Sequence, residues 1–427
     1  MRRWLIGIAS VVALLLGAVL AAIAWQLRDE PEEAAAPTFI SSPALIARGA
    51  YLARAGNCAG CHTTRGGAAY AGGRGIATPF GTIYAPNLTP DPTHGLGGWS
   101  SAQFWRAMHH GRARDGRLLY PAFPYPSFTQ VTREDSDAIY AFLLSLPPVA
   151  QPNRAHELRF PYDTQAALAL WRTLFFRPGV HEPQPDKSAQ WNRGSYLVRG
   201  LGHCVACHAN RNLLGATSES VELSGGLIPM QNWYAPSLAS REEASVADWP
   251  LEDVVDLLRA GTTSRGAVMG PMAEVVFRST QHLSDEDLTA MAVFLKDLPQ
   301  AKPPKHDPPE IDASILARGK RIYDDRCAQC HGEQGQGVPG AYPPLAGNRG
   351  VTMSSGANVV QAIVLGGFAP ATRGNPRPYG MPPIGLEYGD ADIAAVATYV
   401  RNAWGNQAPQ VLPLQVMRAR GVQAGGE

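Results

Sequence analysis

All six cysteines of the chain fall in three copies of one pentapeptide: Cys58-Ala-Gly-Cys61-His62, Cys204-Val-Ala-Cys207-His208 and Cys327-Ala-Gln-Cys330-His331. C-x-x-C-H is the attachment sequence of a c-type haem. Two residues between the thiols make a single turn that presents both sulfurs to one edge of the porphyrin. The adjacent imidazole then reaches the iron as proximal ligand. The competing uses of C-x-x-C are a structural zinc site and a thioredoxin-type dithiol. Zinc needs further Cys or His ligands at short range, and no second cysteine pair lies near any of the three. The sequence therefore predicts three covalent haem c (heme c) groups. Cys58, Cys61, Cys204, Cys207, Cys327 and Cys330 hold the rings, and His62, His208 and His331 hold the irons.

A longer pattern repeats around the pentapeptides, and it sets the fold class. Each copy opens with a helix leading into the motif and carrying a glycine just upstream: Gly49-Ala-Tyr51-Leu52, Gly194-Ser-Tyr196-Leu197 and Gly319-Lys-Arg-Ile322-Tyr323. Ser42-Pro43 starts the first as N-cap and first helical residue, and Asp186 and Asp312 are the caps expected for the others. After each histidine come a glycine-rich stretch and a proline segment: Tyr84-Ala-Pro86-Asn-Leu88, Tyr234-Ala-Pro236-Ser-Leu238 and Tyr342-Pro343-Pro344-Leu345. An iron-bound imidazole needs its other nitrogen fixed by an acceptor. The carbonyls of Pro86, Pro236 and Pro344 are the candidates, against the alternative of simple turns. Middle helices are expected over Trp99–His110, Trp249–Ala260 and Ala357–Leu365. Closing helices follow Thr132-Arg-Glu-Asp135, Ser284-Asp-Glu-Asp287 and Asp390, with apolar residues at helical period.

This order predicts an all-α chain of three tandem class I cytochrome c domains. The divisions are 1–41 anchor and tether, 42–148 first domain, 149–186 interdomain segment, 187–302 second domain, and 303–427 third domain and tail. Proline pairs at Pro147-Pro148 and Pro303-Pro304 mark the boundaries. The 150–186 segment, with Trp171 and Phe175-Phe176, is too apolar for a bare linker and is expected to pack between the first two domains.

Methionine from the loop before the closing helix is the expected sixth ligand of a low-spin haem in this fold. Met381, in Tyr379-Gly-Met381-Pro-Pro383, fills that slot in the third copy. Met272 is preferred to Met269 in the second because of its spacing from the middle helix. In the first copy the slot, Pro121-Ala-Phe123-Pro-Tyr125-Pro126, holds phenylalanine, which cannot bind iron. Aligning Gly111, Gly261 and Gly366 sets Met108 with Leu258 and Ile363, so Met108 is the candidate there. His109, His110 and an open iron are the alternatives.

Arg2-Arg3 precede an uncharged run from Trp4 to Trp25. Its ~22 residues would span roughly 33 Å as a helix, enough for a bilayer core. Arginines ahead of it put the N-terminus in the cytoplasm and the remainder outside. Ala22-Ile23-Ala24 would also suit signal-peptide cleavage, but the run's length and bracketing tryptophans favour a retained inner-membrane anchor. Residues 26–41 read as a polar tether. Six cysteines with none to spare fit an oxidising periplasm. A net charge of +1 over 427 residues offers no field for nucleic acid.

With these motifs in place, the chain resembles the three-haem cytochrome c subunits of membrane-bound dehydrogenases in acetic acid bacteria and other proteobacteria. The likeness runs from about Leu45 to Trp404. It is carried by Thr78-Pro-Phe-Gly-Thr-Ile-Tyr-Ala-Pro-Asn87, Tyr120-Pro-Ala-Phe-Pro-Tyr125, Asn192-Arg-Gly-Ser-Tyr-Leu197, Gly202-His-Cys204 and Gly270-Pro-Met-Ala-Glu-Val275. The resemblance implies a subunit that takes electrons from a catalytic partner and delivers them to ubiquinone or a terminal oxidase. Partners in that family include quinoprotein alcohol dehydrogenases, flavoprotein gluconate and fructose dehydrogenases, and molybdenum aldehyde dehydrogenases with an iron–sulfur subunit. Many alcohol-type members carry methionine at the position of Phe123. That departure, the Leu174-Phe-Phe176 segment and the N-terminal anchor incline the expectation toward the molybdenum aldehyde type. No nucleotide loop, nucleophile elbow or H-E-x-x-H motif suggests catalysis by the chain itself. A multihaem peroxidase with an open first iron and a cytochrome subunit of a terminal oxidase are the rival readings.

Overall fold

The computed structural model describes residues 1–28, 39–217, 222–301 and 310–421. The acidic part of the expected tether and the Pro303-Pro304 boundary lie outside the described residues. The chain forms two compact units, Met1–Glu182 with Arg199–His203, and Pro183–Val198 with Cys204–Glu427.

The first unit begins with the helix Arg2–Leu27, longer at both ends than the apolar run alone suggests. Its leading helix, Pro43–Ala55, starts where Ser42 accepts from the Leu45 N–H at 3.2 Å. The middle helix, Ser101–His110, has a full capping box from Ser100 and Gln103 and stops at Gly111 in the left-handed region (φ +60°). The closing helix is Arg133–Leu144, capped by Thr132. The helix Gln165–Phe175 lies in the segment expected to sit between domains. It packs on the N-terminal helix and the first repeat: Leu168 and Ala169 form a small core with Leu118, Ile23 and Tyr120.

In the second unit the leading helices are Ala189–Tyr196 and Ala313–Arg326. Ser188, two residues beyond the expected Asp186, caps the first by accepting from Trp191 N–H at 3.1 Å. Asp312 caps the second as expected. The middle helices are Leu251–Ala260 and Ala357–Leu365, and the closing helices Asp285–Lys296 and Asp390–Val400. Gly389 holds the cap position of the last, so Asp390 opens that helix rather than capping it. A final helix, Pro413–Gly421, buries Val416 and Ala419 in the core around Tyr323, Ile393 and Val396.

One crossing recurs three times, between leading and closing helices. A Cβ on Gly49, Gly194 or Gly319 would overlap the carbonyl of Ala138, Ala290 or Ala395, so only glycine lets the two backbones meet. The residue before each glycine is an arginine, and each reaches an aspartate three residues upstream of that alanine. The pairs are Arg48–Asp135 (2.5 Å), Arg193–Asp287 (2.7 Å) and Arg318–Asp392 (2.7 Å). Each aspartate stands in the first turn of its closing helix, where the helix dipole also favours a carboxylate. The fold is mostly helical but not purely so. Short antiparallel pairs occur, such as Gly75–Thr78 with Gly81–Tyr84, extended by Glu157–Leu158, and Gly367–Phe368 with Gly380–Met381.

Candidate haem sites

Each C-x-x-C-H segment coils at the end of a leading helix, with both sulfurs on one turn: Cys58–His62 is helical, Cys204–Ala206 is a 3₁₀ turn and Ala328–His331 is helical. None of the six thiols is in a disulfide. Burial, then the neighbouring thiol, pushes Cys58 and Cys204 up to about 12 and Cys327 to about 11. Among the described residues no three Cys, His, Asp or Glu side chains converge as a zinc site requires.

The histidines are held alike. Nδ1 of His62 lies 2.7 Å from the Pro86 carbonyl, Nδ1 of His208 lies 2.7 Å from that of Pro236, and Nδ1 of His331 lies 3.1 Å from that of Pro343. Burial lowers the pKa of all three rings, opposed by the carbonyl bond. A carbonyl can only accept, so each ring donates from Nδ1 and leaves Nε2 for a metal, the arrangement an iron ligand takes. The third partner corrects the expected Pro344, whose carbonyl instead accepts from Asn348 at 2.8 Å. The reason is spacing. The third copy has one residue fewer between its tyrosine and its leucine, and the leucine sets the register.

Leu88, Leu238 and Leu345 donate their N–H groups to Tyr70, Leu223 and Gly335, at 2.9, 2.9 and 2.7 Å. Two residues after each acceptor a glycine with positive φ, Gly72, Gly225 or Gly337, donates to the histidine's own carbonyl at 2.8, 3.0 and 2.8 Å. A Cβ there would run into the proline segment. Each glycine therefore locks the histidine turn to the acceptor proline. The glycine-rich stretch after each histidine marks the region in the sequence, but its length differs between copies and so hides which glycine serves.

The opposite side is less uniform. Leu119 N–H bonds the Gly111 carbonyl and Val268 N–H bonds that of Gly261, each at 2.8 Å, which puts Phe123 and Met272 at the same count. Phe123 stands before the short turn Tyr125–Phe128, with its ring 5.4 Å from that of Phe128. Met272 lies in the first turn of a nine-residue helix, Gly270–Arg278, and Met269 caps that helix with its methyl beside Gly367. Met381 is in a strand paired through Gly367. Met108, Leu258 and Ile363 are all buried, on the inward face of their helices. His109 Nδ1 lies 2.7 Å from the Thr129 carbonyl and the ring stacks on Trp105 at 4.5 Å, an arrangement that leaves Nε2 as the nitrogen a metal could take. The carbonyl of His110 accepts from Arg172 at 2.6 Å.

Paired thiols on one turn beside a carbonyl-locked imidazole define a c-type cytochrome. Comparison with known proteins agrees, since the cytochrome c family model matches residues 46–147 and 316–404. The alcohol dehydrogenase (quinone) cytochrome c subunit of Gluconacetobacter polyoxogenes is 40% identical, over 88% of this chain and 84% of its own length. The gluconate 2-dehydrogenase cytochrome c subunit of Pantoea cypripedii is 37% identical over 86% and 87%. The fructose dehydrogenase cytochrome subunit of Gluconobacter japonicus is 33% identical over 90% and 83%. The chain belongs to the family of cytochrome c subunits of dehydrogenases, electron-transfer proteins with covalently bound haem c.

Proposed function

We propose that this chain is a three-haem relay, anchored in the inner membrane with its haem domains in the periplasm, that carries electrons from a catalytic dehydrogenase subunit to ubiquinone or the respiratory chain. The observation that carries the count is the threefold recurrence of the His Nδ1–proline carbonyl lock behind a C-x-x-C-H turn. Haem c, when attached, supplies reversible one-electron chemistry. The chain's own residues would attach the ring through the paired thiols, hold the imidazole by its Nδ1–carbonyl bond and tune the potential through the residue on the far side. We assign that residue as Met272 in the second domain, Met381 in the third and Met108 in the first. The N-terminal helix supports the anchor, being 26 residues long and uncharged from Trp4 to Leu27.

The partner we infer is a molybdenum aldehyde dehydrogenase with an iron–sulfur subunit, because Phe123 and the Leu174-Phe175-Phe176 segment depart from the alcohol type. The identity to alcohol and gluconate dehydrogenase subunits favours a quinone or flavin enzyme as the second reading. Purifying the chain with its native complex and assaying molybdenum, pyrroloquinoline quinone and flavin separates them. Molybdenum with haem reduction on adding an aldehyde is the expected result, and a bound quinone or flavin cofactor would transfer the assignment. Peroxide turnover by the isolated chain would instead make it a peroxidase with an open first iron.

A further inference from the structure

The end of the N-terminal helix is held by the first unit. It is clamped by two arginines that are only 3% and 4% exposed, Arg112 and Arg172. Arg112 donates to the Gln26 carbonyl, and Arg172 Nε donates to Gln26 Oε1 at 3.2 Å. Ile23 packs against Leu118, Leu168 and Ala169. A cation on the last carbonyls of a helix is the favourable end of its dipole. The helix Gln165–Phe175 therefore lies directly beside the final turn of the apolar run.

That helix contains one charged residue, Arg172, and it points inward. Its buried side is Leu168, Ala169 and Arg172. A second apolar stripe, Ala167, Leu170, Trp171 and Leu174, follows the i, i+3, i+4, i+7 spacing on another face. Leu174 is 55% exposed, and Phe160, in the turn before the helix, is 82% exposed beside the partly exposed Tyr162. Arg177 follows at the helix end, donating to the Thr173 carbonyl at 2.9 Å, and Arg28 lies over the Trp25 ring at 3.4 Å. Aromatic side chains with basic residues at their margin are the composition of a membrane–water interface.

We infer that this outer face, with Phe160 and Tyr162, rests in the headgroup region of the bilayer and holds the first unit against the membrane. The occupant is lipid rather than a protein partner because the helix packs by its other side, Leu168, Ala169 and Arg172, on Ile23 and Gln26 at the exit of the span, which sets its outer side at the level where the span leaves the bilayer. A helix lying in the interface buries its apolar stripe to a shallow depth. The inference rests on the reading of Arg2–Leu27 as a membrane span.

The test uses the full-length chain in nanodiscs of phosphatidylethanolamine and phosphatidylglycerol doped with a diazirine-bearing phospholipid, with labelled peptides mapped by mass spectrometry. Label is expected in Arg2–Leu27 and again in residues 160–174. The double variant Phe160→Glu, Leu174→Glu should lose at least tenfold of the second label while keeping the first and its full haem content. Label in the N-terminal helix with none in 160–174 would overturn the interface alone. No label in either would overturn the span and the inference together. Unchanged labelling of the double variant, or protection of 160–174 by a protein partner in native membranes, would also overturn it and in the latter case give the face to that partner.

Discussion

The histidine side of each site and the opposite side obey different rules. On the histidine side three copies repeat one geometry to within 0.4 Å, from 2.7 to 3.1 Å between Nδ1 and a proline carbonyl. On the far side the same slot holds Phe123 before a four-residue turn, Met272 in a nine-residue helix and Met381 in a strand. The proposed covalent attachment would account for the first, since two thioether bonds and an iron bond would leave no freedom in the turn that makes them. On the proposed reading the far side would make at most one weak bond to iron, which leaves its backbone free to vary and the potential with it. A relay needs this division, one way of holding haem and several ways of tuning it.

The comparison gives each side a different mode of failure. The largest effect is expected at the lock. Gly225→Val must leave a positive φ of 76° and displace the Pro236 segment, at a cost of about 3 kcal/mol or more. Haem content by pyridine haemochrome should fall by one haem, whereas full content would show that the lock is not needed for attachment. Met272→Leu and Met381→Leu should each keep every haem. Each should lower one potential by a sizeable part of the ~0.8 V that axial ligation spans. Unchanged redox titrations for both would remove those ligands.

Effects in the first copy are expected to be spectroscopic. Met108→Leu should disturb a single haem in magnetic circular dichroism, and Phe123→Met should offer that iron a competing sulfur with little loss of stability. A Met108→Leu spectrum matching wild type, fully low-spin, would turn attention to His110 or His109. The smallest effect is expected at the helix crossing: Arg48→Ala should cost about 1 kcal/mol by thermal melting. A loss as large as that of Gly49→Ala, whose Cβ would overlap the Ala138 carbonyl, would show that the ion pair holds the leading and closing helices together as much as the glycine contact does.

Much of this is legible in the chain because covalent chemistry and helix caps are local. C-x-x-C-H names its own ligands, and Ser42, Thr132, Ser284 and Asp312 cap the helices they precede. Where the structure departs from expectation, the deciding partner is mostly distant or out of register. Pro343 stands where Pro344 is expected, because the register is set by the Leu345 N–H bond to Gly335 and not by the tyrosine. Asp186 gives way to Ser188, which is positioned to meet Trp191 N–H. Within the Gln165–Phe175 helix nothing local signals that the inward arginine finds Gln26, 146 residues earlier. The three Arg–Gly pairs carry no local signal because their partners, Asp135, Asp287 and Asp392, lie 87, 94 and 74 residues away.

The most direct measurement is the haem count of the mature, full-length chain, by pyridine haemochrome and by intact mass of the denatured protein. Three covalent haems per chain, with peptides bearing one at each of Cys58–His62, Cys204–His208 and Cys327–His331, is the predicted result. Two or fewer in a fully matured sample would contradict it, and the equivalence of the three histidine locks would fall with it.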